Sequence, residues 1–149
     1  MTPETQAESD DELYAPAIAR LIARHGEVPP PWAYYPRVHP FEIHWRMGGG
    51  EDYLRLFWSW QRSVAWQFDD RAAYVRRWDA PYSWLDWVAI FLWPDDFSDE
   101  VWEPLERHFA QMETLGLGTR EDWLRCSSVE PEAYPLEDDV SSRWLERER

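Results

Sequence analysis

The chain contains no lysine; all fifteen of its basic residues are Arg. Without a lysine amine there is no Schiff-base nucleophile and no phosphate-loop lysine, and two enzyme classes are excluded. Cysteine is nearly absent as well. A lone Cys126 cannot form an internal disulfide, so the chain reads as a cytoplasmic protein in which Cys126 is a half-buried structural thiol. Long apolar runs are missing. The longest, Trp87 to Trp93, falls far short of the ~20 residues a membrane-spanning helix needs, and the first residues are acidic rather than basic and apolar, so neither a membrane span nor a secretory signal is expected.

Positive charge is scarce in total and uneven in place. Twenty-nine acids against fifteen Arg leave a net charge of −14, which argues against a nucleic-acid binder that relies on phosphate contacts. Residues 37–78 carry seven Arg and five acids, whereas residues 79–149 carry eighteen acids and six Arg, so the acidity lies in the second half.

Chemistry-bearing motifs are missing too. The four histidines, His25, His39, His44 and His108, form no His-x-x-x-His pair and no His-Glu-x-x-His motif, so no metal site and no cofactor is predicted. Gly48, Gly49 and Gly50 lack the ending of a phosphate loop, and the following Glu51 and Asp52 would repel an anion from that helix start. No nucleophile motif is present, and no catalytic residue is assigned.

What the chain has in excess is aromatic side chains. Residues 32–60 alone hold four of the twelve Trp with three Tyr and two Phe. Fully burying one such ring is worth roughly 1.5–3 kcal/mol, so this stretch reads as the anchor of a core. An ordered globule follows despite the charge.

Helical spacing recurs along the chain. Residues 1–9 read as a flexible acidic tail. Ser9 with Glu12 forms a capping-box pattern ahead of Leu13, Ala17, Ile18, Leu21 and Ile22, and Gly26 stops that helix. Five prolines between Val28 and Pro40 exclude a regular helix there, and the segment is expected to wrap its own domain with Trp32, Tyr34 and Tyr35 inward. Tyr53, Phe57, Trp60, Val64 and Phe68 make the apolar stripe of the next helix, with Arg55, Ser59, Arg62 and Trp66 on its opposite face. Asp69 and Asp70 offer a cap for a short helix through Trp78, and Tyr82 to Trp93 reads as a buried helix. Ser98 is expected to cap a helix with Val101, Trp102, Leu105, His108, Phe109 and Met112 on its apolar face, where His108 is a hydrogen-bonded core imidazole. Thr119 with Asp122 starts another helix, and Val140, Trp144 and Leu145 mark a last weak one. The fold class is all-α: residues 10–149 form a single compact domain of five to seven helices, with the proline- and glycine-rich aromatic loop packed on the core.

Asp95, Asp96, Asp99, Glu100, Glu103 and Glu106 gather over one loop and one helical start, and such an array can steer a basic partner and occupy its anion site. Arg55, Arg62 and Trp66, in the net-positive segment, make a second candidate contact surface, suited to an acidic partner or to a second copy of the chain. In bulk character the chain is similar to toxin-neutralising immunity proteins and to nucleic-acid mimics, and no motif ties it to a named family of either. The expected function is that of a non-catalytic acidic binding module, an immunity-type inhibitor or adaptor for a basic protein such as a toxin. The alternative is a small enzyme with a site built from His39, His44, Arg46, Glu51 and Asp52.

Overall fold

A computed structural model describes residues 3–36, 38, 40, 45, 46 and 49–128, with side chains from Asp10 onward. The described residues are helical throughout, with seven α-helices, two 3-10 turns and no strand. They fall into two compact units, one within Met1–Ala65 and one within Trp66–Ala133. His39, His44 and the segment holding Val140, Trp144 and Leu145 lie outside the described residues.

The first unit is built from α1 (Pro3–His25), α2 (Pro31–Tyr34) and α3 (Gly49–Ser63). Helix α1 begins at Pro3, ahead of the Ser9–Glu12 pattern, and continues through Pro16. Helix α2 is a single turn whose entry is set by Pro30 at the N-cap and Pro31 at the first helical position, where a missing N–H costs nothing. Prolines therefore nucleate a turn in a segment where sequence reasoning excluded a helix. Trp32 and Tyr35 are buried. Tyr34 stacks on Tyr53 at 4.3 Å between ring centres, and the Tyr53 hydroxyl donates to the Pro29 carbonyl at 2.6 Å.

Helices α1 and α3 meet through two kinds of contact. Tyr14, Ala17 and Leu21 of α1 and Leu56, Phe57 and Trp60 of α3 are buried. Beside them runs a polar seam. Arg55 donates to Asp10 at 2.8 Å, Ser59 donates to Asp11, and Arg62 reaches Asp11 at 3.3 Å. Tyr14 is bonded to Asp52, and burial first, then the Asp52 charge, push its hydroxyl up to about 12, so it remains a proton donor at neutral pH. The face of α3 that sequence reasoning turned outward therefore carries the polar half of the α1 contact.

In the second unit α4 (Phe68–Arg77), α5 (Leu85–Leu92), α6 (Glu106–Thr114) and α7 (Arg120–Ser127) surround a core of Tyr74, Leu85, Val88, Phe91, His108 and Met112. Gln67 is the N-cap of α4, and the Asp70 carboxylate accepts the Gln67 N–H at 3.0 Å. Two arginines of α4 then stop two other helices. Arg71 donates to the Phe91 carbonyl at 2.8 Å, near the end of α5, and Arg76 donates twice to the Leu115 carbonyl just past α6, so cations sit where helix dipoles are negative.

Helix α6 starts eight residues later than its Ser98 pattern suggests, at Glu106. Pro104 is the reason. Its ring would clash with the carbonyl four residues back, and it biases Glu103 away from helical backbone. Ser98 caps a single turn instead, accepting the Val101 N–H at 3.1 Å and donating its own N–H to the Val101 carbonyl.

Helix α6 ends in a Schellman motif. The Leu117 N–H reaches the Met112 carbonyl and the Gly116 N–H the Glu113 carbonyl, with Gly116 at φ 78°. Gly118 is constrained differently. At φ 138°, a Cβ there would lie 2.8 Å from Tyr82 Cδ1 and 3.0 Å from Leu85 Cδ1, where the start of α7 closes on the 3-10 turn Tyr82–Trp84. Gly118→Ala is expected to destabilise by about 1–3 kcal/mol through overpacking and backbone strain, read as a lowered denaturation midpoint.

Candidate functional site

The acids singled out by sequence lie between two elements. Asp95 and Asp96 belong to the 3-10 turn Pro94–Asp96, Glu106 opens α6, and Asp99, Glu100 and Glu103 lie on the loop between them. Residues 94–106 contain six acids and no Arg. Five of the six carboxylates point to solvent, and the sixth is engaged from inside. Asp96 accepts from His108 Nε2 at 3.0 Å and from Arg107 at 3.2 Å, and the His108 hydrogen bond first, with Arg107 behind it, holds its carboxyl below the usual carboxylate range.

The same loop exposes apolar residues that sequence reasoning turned inward. Trp102 is 60% exposed, Val101 50% and Leu105 52%. Pro104 was the available signal. With the helix start displaced past it, these three side chains leave the α6 face and stand among Asp99, Glu100, Glu103 and Glu106. An exposed indole ringed by carboxylates can cover an aliphatic or planar cationic surface while the acids meet its charges.

His108 cannot act as a general base for an outside substrate. It is 1% exposed, sits between Trp93 and Phe97 at 5.4 and 4.9 Å, and has both ring nitrogens engaged, Nδ1 accepting the Leu105 N–H at 2.9 Å.

The second candidate surface is divided by the fold. Arg55 and Arg62 lie on the α1–α3 seam, each paired with an Asp of α1. Trp66 lies beyond the end of α3, so the helical angle that placed it beside them does not apply. It packs edge-on to Tyr74 and Phe91, and the cation over its ring is Arg71, at 5.4 Å. No protein-family model, curated protein or solved structure matches the chain.

For the alternative site, Arg46 and Glu51 are exposed and Asp52 is bonded to Tyr14, while His39 and His44 lie outside the described residues. Among the described residues no group of three or more His, Cys, Asp or Glu is placed to hold a metal ion, and no helix is long and apolar enough to cross a membrane.

One further carboxylate has a perturbed environment. Asp86, in the first turn of α5, is pushed above the usual carboxylate range by burial, partly offset by the Trp87 N–H at 2.9 Å. Its native proton affinity exceeds its unfolded one, so stability falls as pH rises from about 4 through the raised native value. Asp86→Asn cannot ionise and keeps an acceptor. It is expected to be more stable than the parent at neutral pH, with the difference shrinking toward pH ~4 in paired denaturant melts.

Proposed function

We propose that the chain is a non-catalytic, acidic protein-binding module, an inhibitor or adaptor that holds a basic protein partner in the manner of an immunity-type inhibitor holding a toxin. The observation that carries this reading is Trp102, more than half exposed on a loop rimmed by Asp99, Glu100, Glu103 and Glu106. A solvent-exposed Trp beside Val101 and Leu105 is costly unless something covers it, and Trp is among the residue types that dominate interface energetics. The carboxylates add long-range attraction and select a cationic face. The loop 95–106 is thus the docking surface. Arg55 and Arg62, paired within their own unit, are assigned to holding α1 on α3.

The test is a photo-crosslinking amino acid at position 102, with position 20 on α1 as control. The expected outcome is capture from 102 and not from 20 of a basic protein whose purified form associates roughly ten-fold faster at about 10 mM than at about 150 mM salt. Equal capture from both positions, or an association rate flat with salt, contradicts the reading.

A further inference from the structure

One buried imidazole holds both ends of the docking loop. His108 Nε2 reaches Asp96 at 3.0 Å, immediately before the loop, and Nδ1 accepts the Leu105 N–H at 2.9 Å, immediately after it. Between those two points lie Asp99, Glu100, Val101, Trp102 and Glu103, all exposed. The ring is fixed edge-on to this task by Trp93 and Phe97. Because Nδ1 accepts, it carries no proton, and the neutral ring is the Nε2–H tautomer that donates to the Asp96 carboxylate.

We propose that His108 is the positioning residue that presents the docking loop, and that a proton taken from solvent onto Nδ1 opens the loop at its Leu105 end. The proposal rests on the reading of this loop as the docking surface. The proton adds to the Nδ1 lone pair and no covalent bond breaks. Nδ1 then becomes a donor facing the Leu105 N–H, itself a donor, and the bond that caps α6 is lost. The Asp96 end behaves oppositely, since an imidazolium Nε2–H binds a carboxylate more strongly. Protonation therefore frees one end of the loop and tightens the other, and Trp102, three residues from Leu105, loses its fixed presentation.

The charged groups around the clasp agree with this polarity. Asp96 and Asp95 come from the 94–96 turn, with Asp95 acting on Arg71 of α4. Arg107 of α6 is spent on Asp96, and Glu106 is exposed. On α5 the titratable side chain is Asp86, bonded to the Trp87 amide, and on α7 Asp122 is held by Thr119 and Arg125. Arg76 of α4 is directed to the Leu115 carbonyl.

The experiment uses the full-length, isotope-labelled chain. Long-range proton–nitrogen spectra report the tautomer and charge of His108, and amide relaxation reports the order of residues 97–105, from about pH 7.5 to about pH 5.5, where ordinary carboxylates stay ionised. The expected result is an Nε2–H tautomer at the upper pH and loss of loop order in step with His108 protonation. In His108→Gln, which can still donate to Asp96 and cannot titrate in this range, loop order should be independent of pH. A second readout is the affinity for a twelve-residue peptide alternating Arg and Leu. It should weaken at least about five-fold on acidification in the parent and stay flat in His108→Gln. An Nδ1–H tautomer, loop order indifferent to the charge of His108, or a His108 that stays neutral until the chain unfolds would each overturn the clasp. A loop that opens on protonation while peptide affinity holds would leave the clasp standing and remove the docking reading instead.

Discussion

Phe91→Ala is expected to lower the melting temperature by roughly 10 °C, the largest stability effect we predict for a single side chain. Phe91 is fully buried near the end of α5. Its ring stacks on Trp87 with centres 5.6 Å apart, meets Trp66 edge-on at 5.5 Å and Tyr74 at 5.4 Å, and lies 5.0 Å under the Arg71 guanidinium. Truncating a buried Phe costs about 3–5 kcal/mol through lost transfer energy and the cavity left behind, and each aromatic pair adds about 0.5–1.5 kcal/mol. Arg71 would suffer as well. Burial already pulls its pKa down, and the ring that shields its cation would be gone while its bond to the residue 91 carbonyl remained. Leu124→Ala is the matched control, because Leu124 is 45% exposed and its loss should change stability by less than about 0.5 kcal/mol. Similar melting shifts for the two variants would mean that the second unit is not packed around Phe91.

Trp102→Ala should do the reverse, leaving the fold alone and removing the binding. The side chain is the most exposed large hydrophobic among the described residues, so its truncation buries nothing less and opens no cavity. Interface hot spots of this residue type cost about 2 kcal/mol or more on truncation, which corresponds to roughly a thirty-fold weaker complex. The loss should appear mainly in the dissociation rate, since the carboxylates that set the association rate are untouched. Replacing Asp99, Glu100, Glu103 and Glu106 by their amides should instead slow association and flatten its salt dependence. Calorimetric melting together with binding kinetics against the captured partner checks both. A Trp102→Ala chain that melts like the parent and binds like the parent would exclude the indole as anchor.

Much of the helical pattern was legible in the chain because periodicity and caps are local. Thr119 and Asp122 do cap α7, each accepting the backbone N–H of the other at 3.1 and 3.0 Å, and Gly116 does end α6. Helical spacing also placed Tyr53, Phe57 and Trp60 on the buried side of α3. What was not legible came from interactions that span sequence. Arg55, Ser59 and Arg62 look like a solvated face until Asp10 and Asp11 of α1 are brought against them, forty-five or more residues away. Trp66 was misplaced because α3 ends at Ser63, short of the turn that would have carried it onto the Arg face. Trp102 was turned inward for a different reason, since a regular 3.6-residue spacing was followed straight through Pro104, which forbids it. His108 reads as a core imidazole from its neighbours, and its burial agrees, but its bridge from Asp96 to Leu105 requires the loop to fold back on itself.

The central claim is that one loop, and not diffuse negative charge, recognises a basic partner. Titrating the isotope-labelled full chain with the alternating Arg–Leu peptide, and mapping amide shift changes residue by residue, tests it most directly. The account predicts changes concentrated in residues 95–106, largest around Trp102, that collapse in Trp102→Ala although the net charge of −14 is unchanged by that substitution. Shift changes scattered over exposed acids elsewhere, such as Glu12, Asp69 and Glu121, and equally strong in Trp102→Ala, would contradict it.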